Sequence, residues 1–181
     1  MKHIMLDLET MGTGNNAAIV AIGACSFDPH SEGVPIGIGN NFYGRVSLQS
    51  SMAAGMQVDP STILWWMQQS EAARKSTFEG DSWELHAALQ QFNAWVKENK
   101  GEFVWGNGAT FDNVIIRAAC RATFITPAWH FRGDKCYRTV INLLPKERQP
   151  AFERSGTAHN ALDDAITQAV YLQKVWKELG L

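Results

Sequence analysis

The spacing of hydrophobic residues predicts strands at the start of the chain and mostly helices after residue 59. Residues 3–8 and 17–27 are apolar runs, and 36–47 is a looser run interrupted by glycines, so each predicts a β-strand. The gaps between these strands are short and turn-like, which favours antiparallel pairing. A fourth strand is predicted at 102–105.

Helical spacing dominates the rest of the chain. The predicted helices cover residues 62–69, 83–97, 110–122, 134–143 and 160–178. The packing stripe of the helix at 83–97 comprises Leu85, Ala88, Leu89, Phe92, Trp95 and Val96. That of the last helix comprises Ala161, Ala165, Ala169, Leu172 and Trp176. Strands followed by helix, strand and helix predict an α/β fold in a single domain, residues 1–181, with a mixed sheet flanked by helices on both faces.

Composition and charge are those of a globular protein with an uneven charge distribution. The chain is 45% hydrophobic and 19% charged, with a net charge of −2, which excludes a disordered chain. Residues 113–154 carry eight Lys/Arg against three Asp/Glu, so this segment is +5 and the remainder −7. A basic flank beside acidic groups suits a polyanion held through metal ions, although a solvated surface of mixed charge is the alternative.

Cysteine usage and hydropathy bear on the compartment. Cys25, Cys120 and Cys136 form no C-x-x-C pair, which argues against a disulfide framework or a zinc site. No stretch is long and apolar enough to span a bilayer, and no signal-peptide pattern precedes the first strand. We therefore expect a cytoplasmic protein without a membrane partner.

Two acids interrupt the first strand. Asp7 and Glu9 are two residues apart, so their side chains point to the same face. A solvent-exposed edge strand would explain them, but the neighbouring residues are apolar on both faces, which favours a central strand. Buried carboxylates then need a compensating positive charge.

Further acids stand at predicted helix starts. Asp112 opens the helix at 110–122, and His159 precedes Asp163 and Asp164 at the start of the last helix. Each aspartate taken alone is explained by its favourable interaction with a helix N-terminus. Taken together with Asp7 and Glu9, they predict an oxygen-rich site for Mg²⁺ or Mn²⁺, in which a histidine can accept a proton from water.

Three segments carry a family resemblance. They are Asp7-Leu8-Glu9-Thr10, Asn107-x-x-x-Phe111-Asp112 and His159-x-Ala161-x-x-Asp164. In order and spacing they resemble the three motifs of the DEDDh 3′–5′ exonucleases, which have a ribonuclease H-like fold. The segments around Asp7, Ser26 and Trp65 look closest to the T-even phage exonuclease A branch, in which bacterial exoribonucleases similar to ribonuclease T also lie.

The resemblance implies specific roles. Asp7, Glu9, Asp112 and Asp164 would hold two divalent ions, Mg²⁺ or Mn²⁺, with Asp7 bridging both, and His159 would be the general base. The family spacing favours Asp164 over Asp163. The fold would be a ribonuclease H-like α/β fold with a central mixed five-stranded sheet.

Substrate contacts are also implied. Residues expected to meet the terminal nucleotide are Thr10, Met11, Gly12, Asn107 and Phe111. Met11 would pack against the last base, or else be a surface turn residue. Trp65 and Trp66 cannot both face the core, so we expect Trp66 to be buried and Trp65 to be partly exposed, where it either stacks a base or packs the helix on the sheet.

The function predicted in this way is two-metal hydrolysis of nucleic acid from its 3′ end, on single strands or 3′ overhangs, with release of nucleoside 5′-monophosphates. Likeness to the phage branch slightly favours DNA, and an exoribonuclease of the ribonuclease T-like kind is the alternative. A ribonuclease H-type endonuclease and a catalytically silent nucleic-acid-binding module are further alternatives. A homodimer is implied only through ribonuclease T-like relatives.

Overall fold

A mixed five-stranded sheet forms the centre of the molecule in a computed structural model that describes residues 2–34 and 39–181. The strands are β1 (Lys2–Thr10), β2 (Ile19–Phe27), β3 (Asn41–Arg45), β4 (Gly101–Gly106) and β5 (Asp134–Cys136). Their order is β3-β2-β1-β4-β5. The β1/β2 and β2/β3 pairs are antiparallel, whereas β1/β4 and β4/β5 are parallel. This α/β arrangement is consistent with the predicted ribonuclease H-like fold.

Helices cover both faces of the sheet. They are α1 (Leu48–Ala53), α2 (Pro60–Met67), α3 (Glu71–Phe78), α4 (Leu85–Glu98), α5 (Asp112–Ala122), α6 (Tyr137–Ile141) and α7 (Ala161–Leu179). All six predicted stripe residues of α4 are buried, and on α7 the alanines and Leu172 are buried while Trp176 is partly exposed. The helical periodicity of the sequence therefore identified both packing faces. No helix in the described ranges has the length and apolar character needed to cross a bilayer.

The central strand β1 separates two hydrophobic clusters. Ile4, Leu6 and Leu8 pack into the larger cluster together with residues of α2, α4 and α5. Met5 points the other way, into a smaller cluster with residues of α6 and α7. Because side chains alternate along a strand, the odd-numbered Asp7 shares its face with Met5 and therefore lies on the α7 side.

Helix α7 lies directly on strand β2. A Cβ atom added at Gly23 would lie 2.1 Å from the carbonyl carbon of Ala161, so the first turn of α7 touches the strand backbone. Ala161, Ala165 and Ala169 are fully buried in the same interface. Small side chains on both elements thus bring the start of α7 close to the sheet.

Three elements differ from the sequence-based expectation. The helix predicted at 134–143 begins instead as the edge strand β5, and the helix α6 starts only at Tyr137. A strand of three residues is too short to show an alternating pattern. The helices α1 and α3 lie outside the predicted helices. Both are short, and each begins after a serine N-cap, Ser47 and Ser70 respectively. Of the strand predicted at 36–47, residues 36–38 lie outside the described residues.

Candidate active site

A cleft of about 570 Å³ opens beside the C-terminal half of β1. Its walls come from β1, the turn after β1, α2, the loop before α5, the segment before α7 and the first turns of α7. The residues that line it include Asp7, Glu9, Thr10, Gly12, Ser61, Trp65, Asn107, Phe111, Tyr137, Phe152, Arg154, His159, Asp164 and Gln168. Four of the five predicted catalytic residues thus share one cavity, and the fifth, Asp112, lies just behind its surface.

Asp7 and Glu9 form the floor of the cleft. Asp7 accepts a hydrogen bond from Gln168 Nε2 of α7 at 2.7 Å. Glu9 is 7% exposed. The side chains of both acids therefore project from a hydrophobic strand where this face of the sheet borders the cleft.

Asp112 lies where the parallel strands β1 and β4 end side by side. Its Oδ1 accepts the backbone N–H of Leu8 at 3.1 Å, and its Oδ2 accepts that of Asn107 at 2.7 Å. The side chain is only 1% exposed. These bonds fix the carboxylate next to Asp7, in addition to the favourable position that it has in the first turn of α5.

His159 and Asp164 are brought together by the turn into α7. Asn160 caps this helix by accepting the N–H groups of Leu162 and Asp163, each at 3.1 Å. His159 has a left-handed backbone with φ of 63°, and its N–H donates to Asp164 Oδ2 at 3.0 Å. The strained backbone is held by this bond and places the imidazole in the cleft.

Asp163 and Asp164 have different environments. Asp164 lines the cleft, whereas Asp163 accepts the backbone N–H of Thr157 at 2.7 Å. Because neighbours on a helix differ in direction by about 100°, one of the two points towards β1 and the other supports the preceding loop. Asp164, which the motif spacing favours, is the one of the two that lines the cleft, and its role as a metal ligand stays a prediction.

The donor set fits a hard divalent cation. Glu9, His159 and Asp164 each offer a ligand atom, and these atoms lie within 4.8 Å of one another. Asp7 and Asp112 add two more carboxylates, and Asp112 lies close enough to raise the pKa of Asp7. Oxygen-rich sites of this composition suit Mg²⁺ or Mn²⁺ better than softer metals.

The raised pKa values of the acids also favour a bound cation at this site. Burial raises the pKa of Asp7 well above its usual range, and the carboxylates of Asp112, Glu9 and Asp164 raise it further. Burial together with Asp164 and Asp112 raises the pKa of Glu9 to about 8. The pKa of Asp112 is raised to about 6 by burial, against the opposing effect of its bonds from Asn107 and Leu8. Crowded carboxylates of this kind favour either protons or metal ions.

Two tryptophans of α2 form the wall beside His159. The Trp65 ring meets the His159 ring edge-to-face, with centroids 4.9 Å apart. Trp66 is 3% exposed, and its Nε1 donates to Thr10 O at 3.0 Å. The prediction that Trp66 is buried and Trp65 partly exposed is confirmed, since Trp65 is 40% exposed.

The predicted substrate contacts are placed unevenly. Thr10, Gly12, Asn107 and Phe111 line the cleft. Met11 does not: its side chain is 7% exposed within the larger hydrophobic cluster. Its N–H donates to Ala18 O at 2.8 Å, and its carbonyl accepts from Asp59 N at 2.7 Å. The expectation that Met11 packs against the last base, and the alternative of a surface turn residue, are both wrong.

Sequence reasoning missed several cleft residues. Gln168, Arg154, Tyr137 and Phe152 line the cleft without belonging to any of the three motifs. Gln168 follows Asp164 by four residues and so lies on the same face of α7, which is a pattern that could have identified it. The other three come to the cleft only through the tertiary fold, so no spacing in the sequence indicates them.

Of the eight basic residues in the segment 113–154, only Arg154 is among the residues that line the cleft. Arg154 lines the cleft and pairs with Asp164. Arg138 donates to the carbonyl of Asn107 at 3.2 Å, at the outer edge. Arg117 instead forms a two-pronged ion pair with Asp134, with N···O distances of 2.6 and 2.8 Å. Arg117 is therefore not among the residues that line the cleft.

Comparisons with known proteins bear on the family of this chain. Residues 2–176 match the profile of the 3'-5' exoribonuclease Rv2179c-like domain. The chain is also 32% identical, over 127 residues, to a protein of Enterobacteria phage T4 named exodeoxyribonuclease. That match covers 64% of this chain and 54% of the phage protein, so it spans about half the length of that relative. The profile match covers almost the whole chain and shows that it belongs to the Rv2179c-like family of 3'-5' exoribonuclease domains.

Proposed function

We propose that this protein is a metal-dependent 3′–5′ exonuclease that removes nucleoside 5′-monophosphates from single strands or 3′ overhangs. The observation that carries the proposal is the convergence of Asp7, Glu9, Asp164 and His159 on one cleft, with Asp112 directly behind it. Membership of an exonuclease family supports the same reaction. An open cleft of this size admits a terminal nucleotide.

The metal ions would be held by Asp7, Glu9, Asp112 and Asp164. When bound, a pair of divalent cations supplies Lewis-acid activation of water and neutralises charge on the leaving oxygen. To bind metal, the carboxylates must be ionised and correctly oriented. The hydrogen bond from Gln168 favours the ionised and oriented form of Asp7, and two backbone N–H groups do the same for Asp112. Hydrogen bonds to the ligands have this effect in other metal sites.

His159 is the proposed general base. A histidine titrates near neutral pH, so its neutral form can accept the proton that an attacking water loses. The backbone bond to Asp164 and the Trp65 ring restrict where the imidazole can lie. The proton acceptor is thereby held at the edge of the acidic cluster, where a water molecule would attack a phosphodiester.

Two polynucleotides are candidate substrates. The relative from phage T4 is named an exodeoxyribonuclease, which favours DNA, in line with the motif likeness noted above. The family description names an exoribonuclease, which favours RNA. A protein distinguishes DNA from RNA through contacts to the 2′-hydroxyl. The preference for one of them would therefore be set by the residues of the cleft wall next to the sugar of the terminal nucleotide.

The decisive experiment compares matched DNA and RNA oligonucleotides, single-stranded and with 3′ overhangs, labelled at the 5′ end, in Mg²⁺ or Mn²⁺. We expect a ladder that shortens from the 3′ end, with release of nucleoside 5′-monophosphates. Asp164→Asn should abolish the ladder, while Asp163→Asn, a matched control one residue away, keeps the acceptor for Thr157 and should retain activity.

Three results would contradict the proposal. Internal cuts on a strand whose 3′ end is blocked by phosphate would favour an endonuclease. Tight binding without metal-dependent hydrolysis would favour a silent binding module. Full activity of Asp164→Asn would place the chemistry elsewhere.

A further inference from the structure

We propose that Arg154 is the phosphate-binding residue of this cleft, held on Asp164 until metal and substrate replace that contact. The inference rests on the proposed exonuclease function and adds a substrate-binding residue to it. Arg154 is the one lysine or arginine among the described residues that line the cleft. Its side chain is 40% exposed, so the guanidinium is accessible from solvent.

The ion pair uses an oxygen that the metal site needs. Asp164 Oδ1 accepts from Arg154, and Asp164 Oδ2 accepts from the backbone N–H of His159. Both carboxylate oxygens therefore have partners. A cation that binds Asp164 competes with the guanidinium, because both are attracted to the same carboxylate charge.

The segment that carries Arg154 is fixed to α7 on both sides of this residue. Ser155 N–H donates to Thr167 Oγ1 at 3.0 Å, and Glu153 pairs with Lys174 at 2.8 Å. Phe152 packs on Tyr171 with ring centroids 5.2 Å apart. These contacts hold the backbone at the rim while the long arginine side chain can still change its partner.

Charge and geometry specify what the released guanidinium would bind. A phosphodiester is the anion that a nuclease cleft must accept, and guanidinium groups bind phosphate oxygens through two parallel hydrogen bonds. The other described residues that line the cleft carry carboxylate, hydroxyl, amide, imidazole, aromatic or apolar groups, and none of them is a lysine or arginine. An arginine at the rim of the cleft offsets the repulsion between the acidic floor and the phosphates of the nucleic-acid substrate.

A purely structural ion pair makes the opposite predictions for Arg154→Gln. If Arg154 only oriented Asp164, its loss would weaken metal binding and lower kcat. If it binds phosphate and competes with metal, its loss should raise KM by about tenfold or more, leave kcat within about threefold, and leave Mn²⁺ binding equal or tighter. Arg154→Lys keeps the charge and should recover part of the KM loss.

Substrate binding gives a readout that does not require hydrolysis. A fluorescein-labelled single strand with phosphorothioate linkages at its 3′ end resists cleavage, and its anisotropy reports binding across a salt series. Loss of one phosphate contact should reduce the slope of log affinity against log salt by about 0.7. Lys177→Gln removes an exposed cation of α7, whose partner Glu32 lies outside the cleft, and we expect it to keep the wild-type slope.

The outcomes separate the two proposals. A wild-type protein without metal-dependent hydrolysis overturns the exonuclease function. Active wild type, with unchanged KM and salt slope in Arg154→Gln, overturns the role of Arg154 and leaves the exonuclease function standing. Weaker Mn²⁺ binding by calorimetry in Arg154→Gln would also overturn it in favour of an orienting ion pair.

Discussion

The indole of Trp65 stands at 81° to the imidazole of His159, with the two ring centroids 4.9 Å apart. An edge-to-face contact of this kind contributes about 0.5–1.5 kcal/mol. It also restricts rotation of the His159 ring, whose backbone is already fixed by the bond to Asp164. The exposed tryptophan therefore has a structural partner inside the site.

Replacement of Trp65 tests this contact. Trp65→Ala should lower kcat by about tenfold, a fraction of what a general base contributes, while KM changes less than threefold, as judged by steady-state kinetics. Trp65→Phe keeps an aromatic wall and should stay within about threefold of wild type. A rise in KM with unchanged kcat would show instead that Trp65 binds the substrate base.

Gln168 should control how tightly the site holds metal. Its amide donates to Asp7 at 2.7 Å and favours the ionised carboxylate. In Gln168→Leu we expect the Mg²⁺ concentration for half-maximal activity to rise by about 10- to 100-fold, with much of the activity regained at saturating Mg²⁺. A loss of activity that no Mg²⁺ concentration restores would indicate that Gln168 contacts the substrate instead. Gln91→Leu, on the exposed face of α4, is a control.

The stability of the metal-free protein should fall as pH rises. Because the folded state raises the pKa of Glu9 to about 8 and that of Asp112 to about 6, it binds protons more tightly than the unfolded chain, whose carboxyls titrate near roughly pH 4. Stability contributed by these protons is present at low pH and is lost between roughly pH 4 and 8. Urea unfolding in a chelating buffer at pH 5.5 and pH 8 measures the loss.

Metal should reverse this dependence. Mn²⁺ binds the ionised carboxylates of the folded state, so the rise in Tm that it causes should be larger at pH 8 than at pH 6. Glu9→Gln should reduce both the pH dependence and the metal effect. A Tm that does not respond to Mg²⁺ or Mn²⁺ at pH 8 would contradict the assignment of the acids as metal ligands.

The contact between β2 and α7 predicts a strong effect at Gly23. A Cβ there would lie 2.1 Å from Ala161 C and 2.2 Å from Leu162 N, and both atoms are backbone. Gly23→Ala should therefore lower the free energy of unfolding by about 3 kcal/mol or more, measured by urea denaturation. Gly14→Ala is the matched control, since its Cβ would meet nothing closer than Asn16 Oδ1 at 3.6 Å. Equal stability of the two variants would contradict the close helix–strand contact.

The sequence predicted the site better than its surroundings. Asp7 and Glu9 follow from strand alternation, and Asp112, His159 and Asp164 follow from motifs at element ends, so their meeting needs only the sheet order. Their catalytic roles stay a prediction. The partner of Asp7 lies 161 residues away at Gln168. The spacing of Gln168 from Asp164 indicates the face of α7 on which it lies, but no local pattern indicates which acid it contacts.

Met11 shows why the remaining contacts were harder to predict. Its motif position suggested the cleft, but the turn after β1 folds back so that its backbone bonds to Ala18 and Asp59. The side chain then enters the core. The direction of a turn residue depends on which strands and loops receive its backbone hydrogen bonds, and these are fixed only in the assembled fold.

The alternation along β1 has a consequence for how this protein can change. The larger hydrophobic cluster lies on one face of the sheet, whereas Asp7 projects from the other face, beside α7 and the smaller cluster. Thermostabilising substitutions are therefore best sought on the side of α4, away from the acids of the candidate site. Substrate range is best altered on the opposite side. A protein engineer can treat the two faces as separate design problems, provided that the alternation of β1 is kept.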